Sequence, residues 1–142
     1  MGLDVTVTWL AGLNGNKAGH IVINVNSNTP TGFDTSDKSW DKWVLTGQDV
    51  PGAVHDVNDP NRAVWDRVTI RTTVDQDKEI QDFIDSRRND SGNYDLASRN
   101  CAQFAMDALL QAGVDIGTST VPTTKPKTLM QELHQYQNSH RH

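Results

Sequence analysis

The sequence predicts an α+β domain, and three observations carry that reading. Strand-type alternation of β-branched residues dominates the first half of the chain, and apolar residues at helical spacing mark three segments of the second half. The length of 142 residues suits one compact core and is too short for two comfortable ones. Apolar residues make up 35% of the chain and charged residues 22%, which fits a packed domain and argues against wholesale disorder. A single domain is expected over residues 1–142, with a frayed tail from about residue 138.

The elements follow in order. Asp4–Leu10 alternates apolar and polar side chains and reads as a strand. Gly12 to Asn16 is turn chemistry, rich in Gly and Asn. His20–Asn26 is a second strand, with Ile21, Ile23 and Val25 on one face and His20, Val22, Asn24 and Asn26 on the other. The two strands suit an antiparallel pair. Asn28 to Pro60 reads as irregular, with turns at Thr29–Gly32 and Val50–Gly52, and with Trp40 and Trp43 pinning it to the core. Strand character returns over Ala63–Thr73.

Asp75–Arg88 reads as a helix with Asp75 as N-cap and Ile80, Phe83 and Ile84 as its apolar stripe. Arg87 and Arg88 fall at the negative end of its dipole, which accounts for the chain's short basic cluster without a ligand. A second helix runs from Cys101 to a stop at Gly113, with Cys101, Phe104, Ala105, Ala108 and Ala112 at helical spacing and Ser98 or Asn100 as cap. The last helix spans about Lys125 to Tyr136, with Pro126 in its first turn and Leu129 and Leu133 facing inward.

Composition excludes several function classes. The net charge of -5, with signs interspersed, is wrong for nucleic acid, which requires a concentrated positive patch. No apolar run approaches the ~20 residues of a membrane span, so no stable membrane anchor is expected. The start has no basic segment followed by an apolar one and is not a secretory signal; beginning inside a strand, it suits a domain cut from a longer chain. The single cysteine can form neither an internal disulfide nor a cysteine-rich zinc site. Histidines and acids are scattered, and Asp56-Val57-Asn58-Asp59 lacks the glycine and distal Glu of a calcium loop, so neither a metal nor another cofactor is expected.

What remains is the cysteine itself. Cys101 falls in the first turn of a helix, where Asn100 and Cys101 present backbone N–H groups that stabilise a thiolate and an oxyanion on an attacked carbonyl. The plainer reading makes Cys101 the first core residue of an amphipathic helix, and periodicity does not separate the two. Of the five histidines, His20 stands at the mouth of a strand after a Gly-rich turn, a placement that suits a general base. His55 is a second candidate in irregular surroundings, His134 reads as surface, and His140 and His142 lie in the tail.

The string Ala18–Asn26, then Thr31-Gly32-Phe33-Asp34, then Tyr94–Ala105 with its Asn100-Cys101, resembles the circularly permuted papain-like (NlpC-type) cysteine hydrolases. In these a Gly-His strand precedes an Asn-Cys helix, and the look is closest to such domains at the C-termini of bacterial Rhs-type and type VI secretion effectors. The resemblance runs from about Val5 to the last helix. It implies a small antiparallel sheet packed against the Cys101 helix and two further helices. It implies Cys101 as nucleophile, His20 as base, and a third polar residue orienting the imidazole: Asp34 first, with Asn24 and His55 as alternatives. The activity implied is hydrolysis of an amide through a Cys101 thioester, with peptidoglycan stem peptides ahead of a target protein as substrate. An antibacterial effector of this kind is exported without a signal peptide, acts in the target cell (in the periplasm if it cuts peptidoglycan), and travels with an immunity protein. Asp- and Asn-rich chain between Asn28 and Asp59 could face either substrate or inhibitor. A lecithin:retinol acyltransferase-like acyltransferase or phospholipase ranks lower, for want of a membrane-anchoring segment. A non-catalytic binding domain that keeps the fold is the alternative of another class.

Overall fold

The computed structural model describes residues 3–12, 19–35, 50–57, 61–94, 100–114, 116 and 125–139. The expected turn after Gly12, the Trp40 and Trp43 anchors, Ser98 as a cap and the end of the tail at 140–142 lie outside the described residues. Among these residues the chain forms β1 (Leu3–Leu10), β2 (His20–Val25), β3 (Thr31–Thr35), β4 (Val50–Asp56), β5 (Val64–Thr72), α1 (Val74–Asn89), β6 (Asn93–Tyr94), α2 (Cys101–Gln111) and α3 (Pro126–Ser139).

The fold is α+β. The strands make one antiparallel sheet in the order β5-β1-β2-β3-β4-β6. Register explains the core: Val5 pairs with Val25 and Ile70, and Val7 with Ile23 and Val68, so the apolar residues of three strands share one face. These residues are buried with Ile80 and Ile84 of α1, Phe104, Ala105, Ala108 and Leu109 of α2, and Leu129 and Leu133 of α3. The helices therefore cover that face. The opposite face carries cross-strand polar pairs, such as Thr6 with Thr69 at 2.9 Å between hydroxyls.

Three expectations are corrected. The segment from Asn28 to Pro60 is not wholly irregular, because Phe33 and Val54 are buried partners on a ladder of β3 with β4. Val50-Pro51-Gly52 opens β4 instead of making a turn, and His55 stands on that strand. The N-cap of α1 is Thr73, not Asp75: its hydroxyl accepts from Gln76 N–H while the Gln76 side chain accepts from Thr73 N–H, a reciprocal box that Asp75 would leave unmade. Asp75 sits instead in the first turn, where the dipole favours it. At the end of α2, Gly113 takes φ +76°, Val114 N–H donates to Leu109 C=O and Gly113 N–H to Leu110 C=O, the closing pattern expected of a glycine stop.

The edge strand β5 is blunted by side chains. Gln137 of α3 donates to Thr69 C=O at 2.7 Å, and the Asp66 carboxylate accepts Arg67 N–H at 2.8 Å. At the other end of β5, buried Asp77 accepts hydrogen bonds from Thr72 Oγ1 and, at 3.0 Å, from Asn26 Nδ2. Asn26 holds the left-handed turn after β2 at φ 52°, and its side-chain oxygen accepts Asp4 N–H at 3.0 Å. One carboxylate thus ties α1 to β5 and to the turn after β2, which in turn holds the start of β1. Asp77→Ala leaves the buried Thr72 hydroxyl without its acceptor, and a loss of about 1–3 kcal/mol is expected, read as a lowered urea midpoint at unchanged slope.

Candidate active site

Local chemistry fixes where the sulfur sits. Asn100 adopts extended backbone at φ -110°, and its Oδ1 accepts Gln103 N–H at 2.8 Å, which makes it the N-cap and Cys101 the first helical residue. Small residues at Ala102, Ala105 and Ala108 let α2 lie close against β2 and β3. At the sheet, Ile21 N–H donates to Cys101 Sγ at 3.4 Å. A strand amide lies in the plane of its sheet, so the sulfur sits at the edge of β2 and not over its face. It follows from backbone dimensions that Sγ is within about 6 Å of His20 Cα.

His20 opens β2 opposite Leu10 and is buried at 3% exposure. Its ring lies against Gly32 of β3: a Cβ on Gly32 would stand 2.7 Å from His20 Nε2 and 2.7 Å from Ile21 C=O. Only glycine leaves room there. Asp34 lies two residues beyond Gly32 on β3, and its carboxylate is close enough to act on the Cys101 thiol. Cys101, His20 and Asp34 therefore converge at one end of the sheet. His55 pairs with Gly32 on the far side of β3, one strand further from His20. Asn24 is four residues along β2, about 13 Å from His20 at the usual strand rise, and donates to Asn26 C=O at 2.8 Å in the turn. Of the alternatives to Asp34, Asn24 is thus engaged at the wrong end of the strand. His134, expected at the surface, is about half exposed and holds Asp66 at 2.9 Å.

The strand that carries Gly32 and Asp34 is anchored by Phe33. Its ring occupies the space over Gly52 of β4 and contacts Tyr94 and Phe104 at centroid distances of 5.6 and 6.1 Å. Arg87 lies 4.8 Å above the same ring and 5.3 Å from Phe104. Arg88 pairs with Asp56 at 3.0 Å. Each arginine of the basic pair has a local role, more specific than a dipole contact. The sequence reading quoted Gly32 in a motif and Arg87 at a helix end without the roles seen here; the Gly-Phe dipeptide was the available signal, since it places a space and a wedge side by side.

Electrostatics at the sulfur differs from the expectation for a helix N-terminus. Burial pushes the Cys101 thiol up to about 12. The N–H groups of Ile21, Ala102 and Cys101 favour the thiolate, and Asp34 opposes it, but desolvation of a side chain at 3% exposure outweighs the donors. The resting group is a neutral thiol.

Comparison of the chain with protein-family models, curated proteins and solved structures returned no match. The papain-like resemblance rests on the motifs quoted above.

Two outcomes are expected. An acid whose pKa rises on folding stabilises the fold fully below its unfolded pKa, and that contribution is lost as pH climbs to the folded value. The parent should lose stability relative to Cys101→Ala between the ~8.5 of an unfolded thiol and about 12, read from urea midpoints across that window. Gly32→Ala must displace the His20 ring or the β2 backbone, with an expected cost of about 1–3 kcal/mol and shifted His20 imidazole resonances in NMR spectra.

Proposed function

We propose that this domain is a cysteine hydrolase that cleaves an amide bond, with Cys101 as nucleophile, His20 as general base and Asp34 as the group that orients and charge-balances the imidazole. One observation carries the reading: the Ile21 N–H to Cys101 Sγ contact at 3.4 Å, between residues 80 apart in sequence, seats the first residue of a helix beside the strand residue that follows His20. Convergence of Cys101, His20 and Asp34 at one sheet end supports it further.

The chemistry starts from a neutral pair. His20 takes the thiol proton as Sγ attacks the carbonyl carbon, and the oxyanion forms against the first-turn N–H groups of α2. The imidazolium then returns its proton to the leaving amine as the C–N bond breaks. Water, deprotonated by His20, cleaves the thioester to give a carboxylic acid and restore the thiol. No step requires a metal or other cofactor. The motifs favour peptidoglycan stem peptides as substrate, ahead of a target protein, with an immunity protein as partner and the periplasm of a target cell as site of action. An acyltransferase or phospholipase acting at lipid stands lower; no helix among the described residues is long and apolar enough to cross a membrane.

A second reading has an observation of its own. Cys101 is buried and its thiol is held protonated, as a packing residue in a non-catalytic binding domain would be.

Alkylation by iodoacetamide across pH separates the two. For the hydrolase, His20→Ala should slow alkylation of Cys101 near pH 7 by about 10²-fold or more, leaving the limb above pH 10 unchanged. A profile indifferent to His20 would establish the packing reading. Asp34→Asn should act in opposite directions: loss of the carboxylate eases thiol ionisation and raises alkylation at high pH, while amide hydrolysis, assayed on peptidoglycan stem peptides, falls with the misplaced imidazole.

A further inference from the structure

The end of β5 beside His20 carries exposed aromatic surface that the dyad does not use. The β1–β5 ladder slips there: Trp9 pairs with Asp66 but Leu10 with Val64, so Trp65 is the extra residue of a bulge. A bulge breaks alternation and re-aims one side chain, and bulges gather at sheet rims beside active sites. Trp65 is 50% exposed and Val64 45%; of the large apolar residues exposed among the described residues, these two are adjacent and the third, Val74, lies at the start of α1.

The ring is held in place. Trp65 meets Trp9 edge to face at 5.3 Å and 86°. Arg62 Nε donates to Ala11 C=O at 2.7 Å and Ala11 N–H to Ala63 C=O at 2.9 Å, clamping the two strands just beyond the bulge. The ring also abuts the backbone that delivers the base. Gly19 precedes His20 at φ +81°, and a Cβ there would stand 2.7 Å from the Trp65 ring. Gly19 thus serves both a left-handed turn and the close approach of an indole.

We propose that Trp65 is a specificity-determining residue: its exposed face receives the apolar side chain next to the scissile amide and helps position that bond at Cys101. The proposal rests on the hydrolase reading and adds the chemistry of the neighbouring subsite. The orientation cost is low, because the indole is fixed before substrate arrives.

The test compares two alkylating probes, iodoacetamide and its N-benzyl derivative, on the intact chain, with labelling of Cys101 followed by mass spectrometry. The parent should react with the benzyl probe about three- to tenfold faster than with iodoacetamide, the range of one aromatic contact. Trp65→Ala should lose that preference, read as the ratio of the two rates within each variant, and Trp65→Phe should keep most of it. Equal rates for the two probes in the parent, or a preference that survives Trp65→Ala, would overturn the Trp65 assignment and leave the dyad standing. Alkylation by both probes that is indifferent to His20→Ala would overturn the hydrolase reading and the subsite with it.

Discussion

The N-terminus of α2 meets the edge of β2 where the Ile21 amide donates to the Cys101 sulfur, and the site is organised around that meeting. Sulfur is a weak acceptor, so the contact by itself contributes little. Its position matters more. Asn100 caps the helix immediately before it, Ala102 and Ala105 are fully buried immediately after it, and the core of the sheet face begins at Ile21. A change that tilted α2 would move the sulfur and the first-turn N–H groups together. The same packing that fixes this geometry also removes water from the thiol, which is why burial overrides the helix N-terminus in setting its protonation.

Glycines supply the space in which the site is assembled. Gly19 admits the Trp65 ring, Gly32 the His20 ring and Gly52 the Phe33 ring. In each case a ring from another strand occupies the volume that a Cβ would fill, so bulky groups gather where the chain carries no side chain of its own. Phe33 is the hinge of this arrangement, because its neighbours Gly32 and Asp34 face the candidate base while its own ring stacks with Tyr94, Phe104 and Arg87 on the helix side.

A thiol that rests neutral changes how the proposed catalysis must work. A thiolate–imidazolium pair formed in advance would need water or strong donors around the sulfur, and burial at this site withholds the first. In the proposed mechanism, proton transfer from sulfur to His20 then belongs to the chemical step, as it does for a hydroxyl nucleophile, and the Asp34 carboxylate disfavours a thiolate formed ahead of it.

Local signals determined much of this protein by themselves. Alternation placed β1, β2 and β5, apolar spacing placed the helices, and Gly113 ended α2 where a residue of positive φ was needed. The prominence of Cys101 and His20 also came from local context, a capped helix start and a strand mouth. Tertiary structure decided the rest. Strands β3 and β4 were hidden because Thr-Pro, Pro-Gly and Asp-rich stretches carry turn chemistry, and only the burial of Phe33 and Val54 against α1, α2 and the neighbouring strands makes them a ladder. The cap of α1 moved to Thr73 because a reciprocal pair with Gln76 outcompetes a lone Asp75. The protonation of Cys101 was not legible at all: a sequence shows which backbone donors a helix start can offer, but the desolvation that outweighs them depends on what the folded chain packs around the sulfur.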